Sequence, residues 1–343
     1  MNSARPTVAI GALGGTIAST SSVGDGSEIV PTLTADSLAA AVPGLGDVAH
    51  VRAATLATLP SPSLDEPTVL RTLAWARDAV DAGAHGVVIT QGTDTLEESA
   101  YLLELFWDRP EPLVVTGAMR SAQAPGADGP ANLLGAVVTA VAPASRERGV
   151  LVAFADDVHQ ARWVAKTDAL STGAFRSPSF GPVGRCVEGE VRYVAPALRV
   201  PPLTLPVGTG VLAENPRVPL VATYLGDHGH VLDALRAEDL DGLVVAGFGA
   251  GHVSAQAAEA VGRLARQVPV VFASRTGAGP TGRAIYGYPG SEIDLVARGA
   301  LGAGWLSPVK ARLLLWALAL RGPVARGELA AELELRGGLA APS

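Results

Sequence analysis

Short apolar strands that alternate with amphipathic helices constrain the fold of this chain more than any other feature. Runs rich in Val, Ile and Leu stop at Gly, Pro or Asp, at residues 8–10, 87–90, 113–116, 150–154, 243–246 and 270–273. Helical patterns lie between them, at residues 68–82, 96–107, 131–141, 255–267 and 309–321. Uniformly apolar strands joined by helices are typical of parallel sheets with crossover connections. The sequence therefore predicts an α/β fold.

The region at about 178–219 separates two such units. It is rich in Pro and Gly and has no long helical period, and new strand and helix patterns begin near residue 220. With 343 residues, of which 48% are hydrophobic, the chain can form two cores. We predict a larger N-terminal α/β domain with a mostly parallel sheet at 1–205, a linker at 206–217, and a smaller flavodoxin-like C-terminal α/β domain at 218–343.

Charge and cysteine content argue against several classes of protein. Lys and Arg total 26 and Asp and Glu total 33, so the net charge is −7. An acidic chain without a basic cluster argues against a nucleic-acid or anionic-membrane partner. The single cysteine, Cys186, cannot form an internal disulfide. Because residues 1–7 have no apolar segment and no long uncharged apolar span occurs, the expected location is the cytoplasm.

A glycine-rich turn follows the first strand and ends in a hydroxyl, Gly14-Gly15-Thr16. The glycine spacing is not the G-x-G-x-x-G of dinucleotide-binding folds. Glycines at this point let backbone N–H groups approach an anion or an oxyanion, and the carboxyl ends of strands are where open α/β sheets bind ligands. Thr16 is therefore a candidate reactive hydroxyl, and a simple tight turn remains the alternative.

A second polar turn follows the strand at 87–90 and contains Thr93 and Asp94. Thr95, with Glu98 three residues later, matches a capping box at the start of the next helix. Thr93 and Asp94 are not needed for that cap. A hydroxyl beside a carboxylate at a strand end suits substrate ammonium binding and proton transfer. A turn without chemistry remains the alternative.

Two other motifs have structural explanations. Asp128, with Pro130 close behind, is predicted to cap the helix at 131–141. The pair Ser307 and Lys310 satisfies S-x-x-K, but Ser307 as helix cap with Pro308 at the first helical position explains it better.

Lys166 is one of only two lysines in the chain, and it lies next to a threonine and close to Asp168. A solvated surface lysine is the simpler interpretation, but a desolvated lysine beside a hydroxyl and a carboxylate can act as a base. His228 and His230, with Asp227, could be metal ligands, but no partner motif of known spacing accompanies them. We therefore predict no metal site.

The blocks around residues 11–18, 88–101 and 114–133 together resemble the bacterial-type L-asparaginase family. The family reads T-G-G-T-I-A in the first block, H-G-T-D-T-M-E-E-T-A in the second and T-G-A-M-R followed by A-D-G-P-x-N-L in the third. The order and spacing fit this chain, and the similarity continues through Lys166-Thr167, Ser274-Arg275 and Lys310-Ala311-Arg312. The resemblance covers nearly the whole chain.

The resemblance implies an amidohydrolase that converts L-asparagine to L-aspartate and ammonia without a metal or organic cofactor. Thr16 matches the family's primary threonine nucleophile. Thr93, Asp94 and Lys166 match its second threonine with acid and base partners. This assignment agrees with the physical argument, because a hydroxyl next to groups that tune proton transfer is activated for attack.

The resemblance also implies how substrate is held and how the protein assembles. Ser61 matches the serine that holds the carboxylate end of the substrate, and Gly15 and Gly92 lie where strand-end N–H groups hold an oxyanion. His252 aligns with an asparagine near the substrate amino group. Glu292 aligns with a glutamate that reaches into a neighbouring subunit's site, although it could instead be only the acidic first residue of a short helix. The implied assembly is a homotetramer, a dimer of dimers with shared sites.

Three departures distinguish the chain from the family pattern. The family commonly has a tyrosine on a lid after the nucleophile, but residues 19–34 contain none, and Glu28 or Val30 occupies that zone. Gln91 stands where histidine is usual, and Pro62 stands where a substrate-binding glutamine is common. These changes bear on asparagine affinity and on tolerance of L-glutamine more than on the reaction class.

Two alternatives to an asparaginase follow from the same residues. One is a related amidase, either a glutaminase-asparaginase or the asparaginase-like subunit of a tRNA-dependent amidotransferase. The lack of an added N-terminal domain and of a basic face argues against the latter. The other is a catalytically silent module that binds an amino acid. Ammonia release from asparagine, glutamine and D-asparagine distinguishes these functions.

Overall fold

The computed structural model describes residues 5–21, 29–31, 34–206 and 215–338. The chain divides into two compact units, Met1–Thr204 and Leu205–Ser343. The predicted linker at 206–217 starts next to this division, but residues 207–214 lie outside the described residues, so its extent remains a prediction.

Twelve described strands belong to the larger unit. They are β1 (Thr7–Gly14), β2 (Ser19–Ser21), β3 (Ile29–Pro31), β4 (His50–Leu59), β5 (Gly86–Thr90), β6 (Leu113–Thr116), β7 (Val150–Phe154), β8 (Asp157–Gln160), β9 (Ala165–Lys166), β10 (Phe175–Arg176), β11 (Gly184–Val187) and β12 (Glu190–Tyr193). Eight form one sheet in the order β12-β11-β8-β7-β6-β5-β1-β4. Strands β4, β1, β5, β6 and β7 pair in parallel, and the remaining pairs of this sheet are antiparallel. The predicted mostly parallel sheet is confirmed.

The helices of the larger unit are α1 (Ala35–Ala40), α2 (Leu45–Val48), α3 (Glu66–Asp81), α4 (Leu96–Phe106) and α5 (Gly129–Val141). The last three confirm the predicted helices to within a residue or two. Strands β5, β6 and β7 are buried along their whole length, as expected of parallel strands covered on both faces. Helix α3 begins at an N-cap, Asp65, whose carboxylate accepts a hydrogen bond from the Thr68 amide at 2.9 Å.

The smaller unit is a separate parallel α/β domain. Its described strands are β13 (Leu220–Ala222), β14 (Leu243–Gly247), β15 (Val270–Ser274) and β16 (Leu301–Gly302), which lie side by side in chain order and pair in parallel. Its helices are α6 (His230–Asp233), α7 (Ala255–Ala265), α8 (Glu292–Ala297), α9 (Pro308–Ala319) and α10 (Arg326–Arg336). An apolar cluster formed by β14, β15 and α7 is the centre of its core.

The start of α9 corrects one detail of the prediction. Ser307 occupies the N-cap position and Pro308 the first turn, as predicted, but the Ser307 hydroxyl makes no capping hydrogen bond. This hydroxyl is buried and has no partner among the described residues. Pro308 alone accounts for the helix start, because its fixed φ suits the first helical position. Within the described part of the chain, every helix is too short or too polar to span a membrane.

Candidate active site

Two turns meet at the carboxyl ends of adjacent strands in the larger unit. Strand β1 leads into the 3₁₀ turn Thr16–Ala18, and β5 leads into the 3₁₀ turn Thr93–Thr95. Because β1 and β5 are parallel neighbours, both turns lie at the same edge of the sheet. Gly15, at φ 81°, lies so close to the Gly92 backbone that a Cβ atom there would collide with it. Glycine at Gly15 therefore permits the contact between the two turns.

Thr93 lies beside Lys166 and Asp94, the two residues that the sequence analysis placed in the same site. The Lys166 Nζ donates a hydrogen bond to the Thr93 hydroxyl at 2.9 Å and forms an ion pair with Asp94 Oδ1 at 2.7 Å. The Lys166 side chain is only 15% exposed, whereas that of Asp94 is 58% exposed. The simpler interpretation of Lys166 as a solvated surface lysine does not fit this geometry.

The short strand β9 and the helix after the Thr93 turn position Lys166. Strand β9 pairs with β10 in a two-stranded antiparallel sheet, and the Lys166 amide donates to the Glu97 carboxylate in α4 at 3.2 Å. The Lys166 backbone is thus hydrogen-bonded to helix α4, which begins beside Thr93. Two elements that are far apart in sequence therefore hold the ammonium group against the threonine.

Ser61 brings a third strand end to the same place. It lies in the 3₁₀ turn Ser61–Ser63 after β4 and is buried. The Asp94 amide donates to the Ser61 hydroxyl at 3.2 Å, and the Thr95 hydroxyl donates to the Ser61 carbonyl at 3.0 Å. Ser61 therefore contacts the turn that carries Thr93.

The predicted capping box at Thr95 is wrong, because the Thr95 hydroxyl bonds to Ser61 and not to its own helix. Thr95 occupies the N-cap position of α4, but its side chain makes no capping hydrogen bond. Its backbone angles, φ −115° and ψ 12°, are not the extended conformation that capping residues usually adopt. The Thr95 hydroxyl instead donates its hydrogen bond to the Ser61 carbonyl, which belongs to the turn after another strand. Thr95 joins two turns and does not cap its own helix.

The predicted helix cap at Asp128 is also wrong in its hydrogen bonding. It precedes α5, but its φ of −93° and ψ of −12° are helical, and it makes no capping bond. Its carboxylate accepts hydrogen bonds from the Met119 amide at 3.0 Å, the Arg120 amide at 2.9 Å and the Asn132 side chain at 3.1 Å. Asp128 thus fixes the loop that follows β6.

Thr16 is the least constrained of the predicted site residues. It is half-buried, and its hydroxyl makes no hydrogen bond to any residue that the structure describes. Of the segment without a lid tyrosine, Glu28 lies outside the described residues, and Val30 lies in β3, which pairs with β2.

His252 and Glu292, the two predicted site residues of the smaller unit, are in direct contact. The His252 Nε2 donates to Glu292 Oε2 at 2.9 Å. Glu292 is fully buried, and its Oε1 accepts the backbone amides of Ile285 at 2.6 Å and Tyr286 at 2.8 Å. Burial opposes ionisation, but these amides and His252 outweigh it and hold the pKa of Glu292 below its usual range. The carboxylate is more than the acidic first residue of a short helix.

Sequence reasoning missed two tyrosines in this cluster. The Tyr288 hydroxyl lies 2.7 Å from His252 Nδ1, and the rings of Tyr286 and Tyr288 meet the imidazole edge-on at 5.0 and 5.5 Å between centroids. The only sequence signal was the Tyr-Gly-Tyr-Pro run shortly before Glu292. The rings of His228 and His230 lie 6.0 Å apart. Among the described side chains, no group of three His, Cys, Asp or Glu is arranged to hold a metal ion.

Comparison with known proteins follows the same division of the chain. Residues 7–199 match the family profile "Asparaginase, N-terminal", and residues 217–325 match "Glutaminase/Asparaginase C-terminal domain". "L-asparaginase 2" of Escherichia coli (strain K12) is 35% identical over 91% of this chain and 88% of its own length. "Probable L-asparaginase periplasmic" of Haemophilus influenzae is 36% identical over 90% of this chain and 87% of its own length.

A solved structure supports the same relationship. The crystal structure of "Probable Cytoplasmic L-asparaginase from Campylobacter jejuni" aligns with a TM-score of 0.84 at 33% identity, covering 96% of this chain and 99% of the other. The family matches and the fold define a two-domain α/β amidohydrolase. The chain belongs to the asparaginase family.

Proposed function

We propose that this protein hydrolyses the side-chain amide of L-asparagine to L-aspartate and ammonia. The observation that carries the proposal is the Thr93, Lys166 and Asp94 cluster, which lies at the same sheet edge as the turn of Thr16. An amine held by a carboxylate in contact with a hydroxyl can carry out the proton transfers that amide hydrolysis needs. The names of the relatives support the substrate.

The proposed reaction passes through an ester on Thr16. Its hydroxyl oxygen forms a bond to the amide carbon and its proton passes to a base, after which the C–N bond breaks and ammonia leaves with a proton. Water then hydrolyses the ester, which releases L-aspartate and restores the hydroxyl. Because backbone N–H groups near Gly15 and Gly92 lie at the strand ends, we assign them to the developing oxyanion.

Thr93, Asp94 and Lys166 have the proton-transfer role in this proposal. In the structure the lysine ammonium donates to the Thr93 hydroxyl. A lysine that has lost a proton would instead accept the Thr93 proton at the same distance, so one arrangement serves both directions of transfer. Asp94 fixes the position of the amine. Ser61 is assigned to the carboxylate end of the substrate, and His252 and Glu292 to its ammonium end.

Ammonia release from L-asparagine, L-glutamine and D-asparagine tests the proposed function. We expect turnover of L-asparagine by the wild-type protein and none above background by Thr16→Ala. Preferred turnover of L-glutamine would favour a glutaminase-asparaginase. Binding without release by a folded wild-type protein would show a silent binding module and contradict the proposal. Activity that depends on added tRNA would favour the amidotransferase subunit.

We also propose a homotetramer in which Glu292 of one subunit serves the site of its neighbour. An isologous pair provides two equivalent sites per dimer, which a tetramer repeats. Mixing Thr16→Ala protein with Glu292→Ala protein under conditions that exchange subunits should restore activity, because some mixed dimers contain one site with both native residues. Activity that stays at the parental level despite demonstrated exchange would show that each site is built from one chain.

The cytoplasm remains our proposed location. The similar protein of Campylobacter jejuni is described as cytoplasmic, while the name of the Haemophilus influenzae relative contains the word periplasmic. Fractionation of the native host, with enzyme activity followed in each fraction, decides between the two compartments.

A further inference from the structure

A single buried side chain, Asn132 in the first turn of α5, joins three segments near the carboxyl ends of β6 and β7. Its Nδ2 donates to the Gly117 carbonyl at 3.0 Å and to Asp128 Oδ2 at 3.1 Å, and its Oδ1 accepts from the Ala155 amide at 3.0 Å. Asn132 is only 5% exposed. It therefore connects the loop after β6, the start of α5 and the turn between β7 and β8.

The three partners determine which way the Asn132 amide faces. The Gly117 carbonyl accepts a hydrogen bond, and both oxygens of Asp128 accept backbone amides, whereas the Ala155 amide donates. A reversed amide would place its oxygen against two acceptors and its NH₂ group against a donor. Aspartate and leucine, which are close to asparagine in size, could keep at most one of the three bonds. The three hydrogen bonds therefore require an amide at this position.

Gly117, the first partner, packs against the Thr93 turn. A Cβ atom on Gly117 would lie 2.6 Å from the Gln91 carbonyl oxygen and 3.4 Å from the Thr93 γ-methyl group. Thr93 is itself 6% exposed. Because this contact leaves no space for a side chain between the two segments, the position of Gly117 limits where Thr93 can lie.

Asp128, the second partner, precedes a glycine that packs beside the Thr16 turn. A Cβ atom on Gly129 would lie 3.1 Å from Ile17 Cγ1, closer than most Cβ contacts in proteins. Ile17 is 3% exposed and directly follows Thr16 in the chain. The two segments that Asn132 holds together therefore contact the two threonine turns, one segment for each turn.

We propose that Asn132 is a positioning residue that sets the separation between the Thr16 and Thr93 turns. The inference rests on the proposed function and deepens it, because it gives a role in the reaction to a residue that touches neither threonine. The segments behind the two turns cannot move apart unless a buried hydrogen bond of Asn132 breaks. Catalysis depends on such positioning, since a misplacement of about 1 Å can cost about 100-fold in rate.

The kinetics of Asn132→Asp in the full-length protein test this role. The variant loses both hydrogen bonds that the Asn132 NH₂ group donates, so kcat for L-asparagine should fall about 100-fold. KM should change much less, because Asn132 does not contact substrate in this proposal. Thr139→Val is the matched control, since Thr139 is buried in the same helix and its hydroxyl donates to the Gly135 carbonyl at 2.8 Å. It should leave kcat unchanged, and an equally unchanged kcat in folded Asn132→Asp would overturn the proposal.

Asp128→Ala tests the same connection if Asn132→Asp does not fold. Asp128 is half-buried, so water can reach the amide groups that lose their acceptor. The variant removes the hydrogen bond between Asn132 and the start of α5 and should lower kcat in the same direction. A folded Asp128→Ala protein with wild-type kcat would contradict the proposed connection between the two turns.

The ¹³C-methyl NMR signal of Thr93 provides a readout that needs no substrate. Thr93→Ala identifies the signal, which should shift in Asn132→Asp and stay in place in Thr139→Val. An unshifted signal in Asn132→Asp would show that Asn132 does not position the Thr93 turn. A wild-type protein that releases no ammonia from asparagine would contradict the proposed function, whereas an active wild type with unchanged kcat in Asn132→Asp would contradict only the role of Asn132.

Discussion

The turns that carry Thr93 and Thr16 both follow adjacent parallel strands, but they differ in the hydrogen bonds that the two threonine hydroxyls make. Both are 3₁₀ turns after buried, parallel, adjacent strands. The Thr93 hydroxyl accepts from Lys166, and its turn is bonded to Ser61. The Thr16 hydroxyl has no partner among the residues that the structure describes. The protein therefore holds the Thr93 hydroxyl in place, whereas no described residue holds that of Thr16.

This difference separates two requirements of nucleophilic catalysis. A group that transfers protons must be held within hydrogen-bond distance of its partners, which the Lys166 contacts achieve. A nucleophile must instead be able to approach the substrate carbon, so a hydroxyl already bonded to the protein would have to break that bond first. Thr16, whose hydroxyl has no hydrogen-bond partner among the described residues, therefore suits attack, and the bonded Thr93 suits proton transfer.

The largest expected effect comes from removing either hydroxyl. Thr16→Ala and Thr93→Ala should each lower kcat about 1,000-fold or more, because we propose that both hydroxyls take part in the reaction of the amide. The two should differ in stability. Thr93→Ala loses a hydrogen bond to Lys166 and should lower the free energy of unfolding by about 1 kcal/mol, whereas Thr16→Ala loses no hydrogen bond to a described residue and should lower it by less. Ammonia release and thermal unfolding measure both quantities.

Thr167→Ala is the matched control for these variants. The Thr167 hydroxyl donates to the Ala174 carbonyl at 3.1 Å, and Thr167 lies next to Lys166 in sequence, but its hydroxyl makes no hydrogen bond to Thr93. Its loss should leave kcat near the wild-type value. Near-normal turnover by Thr16→Ala would end its assignment as nucleophile, and equal unfolding temperatures for the two site variants would contradict the comparison of the turns.

A smaller but still large effect is expected for Lys166→Met. Loss of the amine should lower kcat about 100- to 10,000-fold, the range typical of a general acid or base, and should change the shape of the pH–rate profile. The unfolding temperature should fall about as much as in Thr93→Ala, because both variants lose the hydrogen bond between Lys166 and Thr93. Loss of the ion pair should add little, because Asp94 is 58% exposed and water solvates its carboxylate once the lysine is gone. An active variant with an unchanged pH–rate profile would reduce Lys166 to a structural role.

The smallest expected effect tests whether stability alone explains the losses of activity. Helix α3 lies in the chain between β4 and β5, which lead to Ser61 and Thr93, and Asp65 caps it. Asp65→Ala should lower the free energy of unfolding by about 1 kcal/mol and leave kcat unchanged. A fall in kcat as large as that of Lys166→Met would show that the turns respond to global stability.

The pH dependence of this cap has a defined sign. Hydrogen bonds from the Thr68 side chain and amide hold the pKa of Asp65 below its usual value. The stabilisation is therefore present above the unfolded pKa of about 3.9 and is lost as pH falls through the lower folded value. The difference in unfolding free energy between wild type and Asp65→Ala should shrink in that acidic range, and a constant difference would contradict this account.

Local patterns in the sequence were reliable where short-range physics decides the structure. The strands after which Thr16 and Thr93 lie, and the helices at 96–107 and 255–267, were predicted because burial of alternate or continuous apolar runs fixes the period of each element. Thr95 and Asp128 directly precede their helices, as predicted, but neither side chain makes the predicted capping hydrogen bond. Each side chain bonds instead to a backbone group in another turn or loop.

The sequence by itself determined that this chain forms two α/β units with reactive side chains at strand ends, because hydrophobic periodicity and glycine turns are local properties. Only the tertiary structure decided which of those side chains meet. Lys166 lies 73 residues from Thr93 and Tyr288 lies 36 residues from His252, and their contacts depend on how strands and loops fold together. Distances of 2.9 and 2.7 Å between such groups follow from packing of the whole unit, which no local pattern in the sequence specifies.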